Sequence, residues 1–465
     1  MTHIAIIGHG IEGWLTAARL AHALPPDSAS ITVVPAAHAD VWDALYAVQP
    51  LEPNDTLRAV GLSDLSLVQN CAASFGLGSV WQDDRVIPYG ASGNNLGGVA
   101  FHHHWRRLNI GTTPADYFRF SPGARALARN VFAPPVPHNA IGSLQHEIAR
   151  HVEPTALRDL LRTTALDLGV TQTAAPLAAQ QGFEPDSVID TVLLTSGKVH
   201  RAELFIDASG PHQALCKKRP VEQWSRHASL SWQVESSRHP RTQTLRPAFS
   251  VHHNATQWRI DVPLHSDDLR LNFTPASANT SAPFSTGFSM QPWQHNVVAL
   301  GHTAARSLPL AGLQSRLLNQ SLVRLIKLLP SGGDMRAVAC EFNQLFARDA
   351  EQVRDLTHWL RDGHLDHASA RFVSRHKLFA KRGWVMPSDG AVVTADDWIN
   401  AFIGRGLLPQ TADPLSRRLP ESEVDQMVTQ LEHDIERVVG EFPALDHYLQ
   451  VARSTPPRQR TGAPA

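Results

Sequence analysis

Three glycines near the start of the chain, in Gly8-His9-Gly10-Ile11-Glu12-Gly13, have the type and spacing to handle a pyrophosphate. Gly8 permits a tight turn, Gly10 lets a phosphate approach bare backbone, and Gly13 lets a following helix pack closely on the strand before it. The N–H groups at the helix start then face the anion. A second set, Phe101-His102-His103-His104-Trp105, carries imidazoles that could ligate a metal. If this stretch is extended, His102 and His104 share one face while His103 points away, and two imidazoles without a third ligand make a poor site. In a chain with 25 histidines, a polar wall or loop is the better account, and no metal is expected.

Groups of this kind need elements to hold them. Ile4-Ala5-Ile6-Ile7 is an uninterrupted apolar run that reads as a strand buried on both faces, and Leu15-Thr16-Ala17-Ala18-Arg19-Leu20-Ala21 reads as the helix that follows the glycine turn. Residues 29–34 are the expected second strand. A ribose-binding acid belongs at its end, where the sequence has Pro35, with Asp40 the nearest later acid. The strand ending Leu204-Phe205-Ile206-Asp207-Ala208-Ser209-Gly210 matches a turn common in flavoproteins with a two-part nucleotide fold. The run 296–300 is another buried strand that ends at Gly301, before a loop and a long helix near 313–329.

The remaining pattern sets the architecture. Residues 73–81 read as one strand, 89–101 as a glycine-rich loop lining a site, 141–152 and 155–169 as helices, and 170–172, 188–194 and 202–206 as strands returning to the nucleotide sheet. Alternating stretches within 224–273 predict an antiparallel sheet suited to a substrate floor, and 335–449 reads as helical throughout. The expected fold is α/β: an FAD-binding Rossmann-like domain of the flavin monooxygenase type with an antiparallel substrate-side sheet (1–330), a helical C-terminal subdomain (331–452) and a frayed tail (453–465).

Bulk properties exclude several classes. With 465 residues, 43% hydrophobic and 18% charged, the chain can bury a large core. A formal net charge of -1 and the lack of a long basic run argue against a nucleic-acid partner. No apolar run reaches membrane-spanning length and the first strand leaves no room for a signal peptide, so a cytoplasmic protein with no membrane partner is expected. Cys71, Cys216 and Cys340 are far apart, which predicts buried thiols rather than disulfides or zinc.

Five stretches stand in the order found in flavin-dependent tryptophan halogenases, and the chain resembles that family over nearly its whole length. They are Gly8-x-Gly10-x-x-Gly13-Trp14, Ala73-Ser74-Phe75-x-Leu77-Gly78, Leu96-Gly97-Gly98-Val99-x-Phe101-His102-x-x-Trp105, the strand end at Asp207, and Trp398-Ile399-Asn400-Ala401-Phe402-Ile403-Gly404-Arg405-Gly406-Leu407-Leu408-Pro409. The resemblance implies reduced FAD supplied by a separate flavin reductase, a halide oxidised to hypohalous acid, and an aromatic small molecule as acceptor. It implies Gly8, Gly10, Gly13, Asp207 and Gly301 at the cofactor, with the loop and helix after Gly301 beside the flavin ring. His102, Trp105 and Trp258 are the expected substrate walls, since aromatic faces suit an indole.

The family's lysine and glutamate, which hold and steer the halogenating species, have no counterpart. The lysine position is Gly76, with no lysine before Lys198, and the glutamate position falls near Ala311, with no Asp or Glu between Asp268 and Asp334. The hydroxyl pair of the following helix is replaced near Leu313-Gln314-Ser315, and the family's Gly-Trp-x-Trp-x-Ile-Pro run survives as Gln257-Trp258-Arg259-Ile260-Asp261-Val262-Pro263. Two functions remain: an FAD-dependent monooxygenase or halogenase-like oxidoreductase that acts on an indole or other aromatic without the usual pair, or a catalytically silent relative that binds a ligand or partner.

Overall fold

The computed structural model describes residues 2–456 apart from 37–39, 53, 136–145, 179–186, 217–220, 224–230, 242, 255, 281–282, 330–334, 367 and 387–389. Strand β1 (Thr2–Ile7) lies in the interior of a six-stranded sheet, which explains its run of four buried apolar residues. It pairs in parallel with β2 (Ala29–Val34) on one side and with Leu204–Asp207 on the other. Thr171–Gln172 extends the sheet beyond β2, and Val297–Ala299 followed by Trp293–Gln294 extends it beyond Leu204–Asp207. Helix α1 (Ile11–Ala23) packs over this sheet and against the Pro154–Asp167 helix, which Glu153 caps through the amides of Thr155 and Ala156.

A second six-stranded sheet runs Trp232–Pro240, Asp267–Pro275, Trp258–Pro263, Phe249–His253, Gly78–Trp81, Val86–Pro88. Its pairings are antiparallel except the parallel one between Phe249–His253 and Gly78–Trp81. The run expected as one strand at 73–81 is two, Ser74–Gly76 and Gly78–Trp81. At Leu77 the N–H donates to Pro247 O at 2.7 Å, and a Cβ on Gly78 would meet Ile87 O at 2.4 Å, so the chain steps from one sheet to the next there. Ser74–Gly76 joins Val48–Pro50 and Ala149–His151 in a three-stranded antiparallel sheet. The helix expected over 141–152 is therefore a strand at its end, and 141–145 lie outside the described residues.

Among the described residues, Thr191–Leu193 pairs with Val199–Arg201 as a hairpin separate from the nucleotide sheet, and Leu193 O also accepts the Ala178 N–H at 2.9 Å. The C-terminal part is helical at Arg336–Asp362, Ala370–Arg382, Ala395–Gly404, Glu421–Gly440 and Leu445–Ser454, joined by irregular segments. One hydrophobic core runs from Ile4 to Leu449. The expected boundary at 330/331 and the end of the tail fall outside the described residues. Cys71 and Cys216 are buried, while Cys340 is exposed, because it lies on the outer face of its amphipathic helix. Among the described residues, no helix is long and apolar enough to cross a membrane.

Candidate functional site

The glycine turn is built as its spacing demands. Gly8 sits at φ +124°, and a Cβ there would lie 2.2 Å from Ala208 O; one on Gly13 would lie 2.2 Å from Gly8 O. Gly10 begins α1 as its N-cap, with no side chain to satisfy the first amides. That task falls to Asp43, whose Oδ1 accepts the Ile11 N–H at 2.9 Å while Oδ2 faces Arg158 Nη1 at 3.4 Å. The helix start is thus already occupied by an acidic side chain of this chain.

A second acidic side chain fills the space beside it. Glu12, 5% exposed, accepts from Tyr46 OH at 2.7 Å and from the His302 backbone N–H at 2.7 Å, and lies 2.5 Å from His302 Nδ1, all through Oε1. Its Oε2 is buried with no hydrogen-bond partner among the described residues. Gly301, at φ +58°, is required because a Cβ there would stand 2.1 Å from the Glu12 carboxyl carbon. Asp207 is fully buried and committed to its own turn: Oδ1 accepts Ser209 N–H at 3.1 Å and Oγ–H at 2.6 Å, and Oδ2 accepts Leu215 N–H at 2.8 Å. Beyond the glycines, His9, Trp14, Pro35, Arg158 and Arg162 line an open cleft of about 840 Å³ at the strand ends. The side chain of Asp40 lies outside what the structure describes.

The positions expected to matter for chemistry are placed as follows. At Gly76 a Cβ would meet His151 Nε2 at 2.4 Å, so that imidazole fills the room a larger residue would need. His151 is fully buried, burial lowers its pKa to about 4, and its Nε2 has no hydrogen-bond partner among the described residues. Ala311 adopts φ +51°, a strained value for a residue with a Cβ, beside Gly312, where a Cβ would strike Pro50. Gln314 and Ser315 are tied internally, Gln314 Oε1 accepting the Ser307 N–H at 3.2 Å and Ser315 donating to Val48 O at 2.9 Å.

The histidine run is a helix, Phe101–Arg107, not an extended segment, so the imidazoles fan around an axis instead of alternating. His102 Nε2 contacts Gly383 O at 2.7 Å, and burial, then His103, lowers its pKa to about 3. Trp105 is fully buried, edge-on to Tyr117 at 5.3 Å. Trp258 lies in the second sheet, stacked on His253 at 4.7 Å. Among the described residues no ring contact joins Trp258 to His102 or Trp105.

A charged cluster that the sequence did not disclose lies where the Leu313–Lys327 helix meets the start of the Ala395–Gly404 helix. Arg316 contacts Glu52 Oε1 through Nε at 2.7 Å and Asp397 Oδ2 through Nη1 at 2.8 Å. Burial alone would weaken the Arg316 charge; Asp397 and Glu52 more than offset this, and its pKa is raised. Close by, burial and then the Asp397 charge push Glu147 up to about 7 and Asp396 up to about 6. Glu147 remains solvent-accessible although protein packs densely round it. The Tyr89 hydroxyl is buried beside them without a partner, its pKa raised by burial. One carboxyl poised near neutrality beside a fixed cation is an arrangement able to exchange a proton with a ligand. The local signal was the Thr394-x-x-Asp397 capping box; pairing across 264 residues left no trace in the sequence.

A family model described as tryptophan halogenase matches residues 3–271 and 266–421. Among solved structures, the chain is similar to BrvH, a flavin-dependent halogenase from Brevundimonas sp. BAL3, with 22% identity and a TM-score of 0.83 over 97% of this chain and 99% of that one. It is likewise similar to a flavin-dependent halogenase from Xanthomonas campestris (19% identity, TM-score 0.83, 98% and 99% covered). A third is SttH, a tryptophan 6-halogenase from Streptomyces toxytricini (16% identity, TM-score 0.81, 97% and 100% covered). At these identities the structures speak for the fold, and the family model speaks for descent.

Proposed function

The chain belongs to the tryptophan halogenase family, and from that premise we propose that it is a relative whose flavin crossing is closed by its own side chains and which serves as a ligand-binding protein. The observation that carries this reading is the Glu12–His302 contact beneath Gly301. A dinucleotide threaded through the glycine turn must bring two phosphates to the start of α1. There Asp43 already holds the Ile11 amide, and Glu12, one residue further on, is buried against Tyr46 and His302, so two acids lie close to the turn that would take the phosphates. On this reading the two acids weaken the hold on FAD, although the cleft beside the glycines, lined by His9, Arg158 and Arg162, stays open. Pro35, in place of a ribose-binding acid, adds nothing to recognition of the adenosine half.

A second reading is favoured by the Arg316 cluster together with the intact glycine turn: an FAD-dependent oxidoreductase acting on an indole or other aromatic, fed reduced flavin by a separate reductase, with Glu147 as its proton-exchanging group. Flavin titration separates the two. Wild-type protein mixed with oxidised or anaerobically reduced FAD is expected to give no saturable change in flavin fluorescence. Glu12→Ala is expected to gain at least about ten-fold in affinity, because a buried acid close to the glycine turn is removed. Tight, stoichiometric binding by wild type would overturn the closed-cradle reading in favour of the second.

A further inference from the structure

A second cleft, of about 740 Å³, shares no lining residue with the nucleotide cradle. Five arginines line it, Arg85, Arg119, Arg125, Arg246 and Arg405, against two acids, Asp83 and Asp84. Phe118, Leu127 and Val86 give it an apolar floor.

Four of the five guanidinium groups are held by neighbouring side chains or carbonyls. Arg85 lies 4.6 Å from the centre of the Trp81 ring, and Arg119 lies 4.8 Å from that of Phe120. The Arg85 side chain is only 10% exposed, its nearest carboxylate is Asp83 at 3.6 Å, and its Nε makes no hydrogen bond. Arg405 is fixed through Nη1 on the carbonyl oxygens of Leu360 at 3.3 Å and Arg361 at 3.4 Å, with no carboxylate in ion-pair range among the described residues. Arg119 and Arg125 share Glu432, at 3.6 and 3.3 Å, and Arg125 also meets Glu436 at 2.9 Å. Arg246, exposed at the rim, makes no ion pair among the described residues.

Arg85 and Arg405 both line the cleft. Burial, and then the charge of Arg405, lower the pKa of Arg85 to about 10, and burial lowers that of Arg405, with Asp83 acting against the shift at both and Asp362 at Arg405. Like charges brought together and partly dried raise the energy of the empty cleft, and an anion set between them relieves it. A planar guanidinium suits an oxyanion, which it can engage through two parallel N–H donors.

We propose that this cleft binds an oxyanion carried on an apolar body, a phosphate or carboxylate on an aromatic or aliphatic scaffold, with Arg85 and Arg405 on the anion and Phe118 and Leu127 against the body. The proposal goes beyond the flavin question, since neither outcome of that titration touches these residues.

Calorimetric titration of the full-length protein with 1-naphthyl phosphate tests it, with inorganic phosphate and 1-naphthol as the two halves of the probe. Saturable binding of the naphthyl phosphate is expected, weakened by added salt, with each half at least about ten-fold weaker. Arg405→Gln should weaken it by about ten-fold, and Arg246→Gln, a rim change that leaves the fold alone, by about three-fold. Several results would overturn the proposal: no binding of naphthyl phosphate, or unchanged affinity in both variants with native circular dichroism. Inorganic phosphate or naphthol binding as tightly as the whole probe would overturn it too.

Discussion

Glu147 and Asp396 hold their protons more tightly in the folded protein than in an unfolded chain, their pKa values rising from 4.5 to about 7 and from 3.8 to about 6. For an acid raised on folding, nothing is lost below its unfolded pKa, and stability falls as pH climbs through the folded one. Glu147→Gln removes its share of that fall. Urea midpoints of variant and wild type should therefore diverge in the variant's favour between about pH 5 and about pH 8; parallel midpoints would mean that Glu147 titrates normally. Individual residues were legible where the backbone forced the choice, as at Gly8, which must be bare to pass Ala208, and Gly13, which must be bare for α1 to lie against the Gly8 carbonyl. They were illegible where the partner is remote. Nothing near Gly76 indicates that His151 fills its side of the sheet, and nothing near Glu12 indicates His302.

Among elements, the Ala395–Gly404 helix has two uses for one carboxylate. Asp397 Oδ2 closes the capping box with the Thr394 N–H at 2.7 Å and hydroxyl at 2.8 Å, and also takes Arg316. Asp397→Ala is expected to cost about 2 kcal/mol, because it removes one of the two carboxylates on a buried cation as well as a helix start, whereas Thr394→Ala should cost only about 1 kcal/mol. Chemical denaturation of both variants checks this, and equal losses would show that the Arg316 contact contributes nothing. The element pattern was easiest to read in long periodic stretches, as in α1 and the Pro154–Asp167 helix. It failed for short ones. A three-residue strand such as Ala149–His151 is held by its two neighbours in the sheet, and its sequence carries too few residues to show a period.

For the molecule as a whole, the proposed reading parts the halogenase fold from the halogenase reaction. Incubation with a flavin reductase, NADH, chloride and tryptophan is expected to yield no chlorotryptophan by mass spectrometry, whatever the outcome at the arginine cleft. The product's appearance would mean that Gly76 and Ala311 do not mark missing machinery. Fold class was legible in order and spacing because a doubly wound sheet imposes both on the chain; the charged cluster and the arginine cleft depend on distant segments converging. That convergence has a consequence during synthesis. The sheet that carries the glycine turn recruits strands from 2–7, 29–34, 171–172, 204–207 and 293–299. A nascent chain therefore exposes the four apolar residues of β1 long before the last partner strand leaves the ribosome, so this protein should lean on chaperones in the cell more than its ordinary composition suggests.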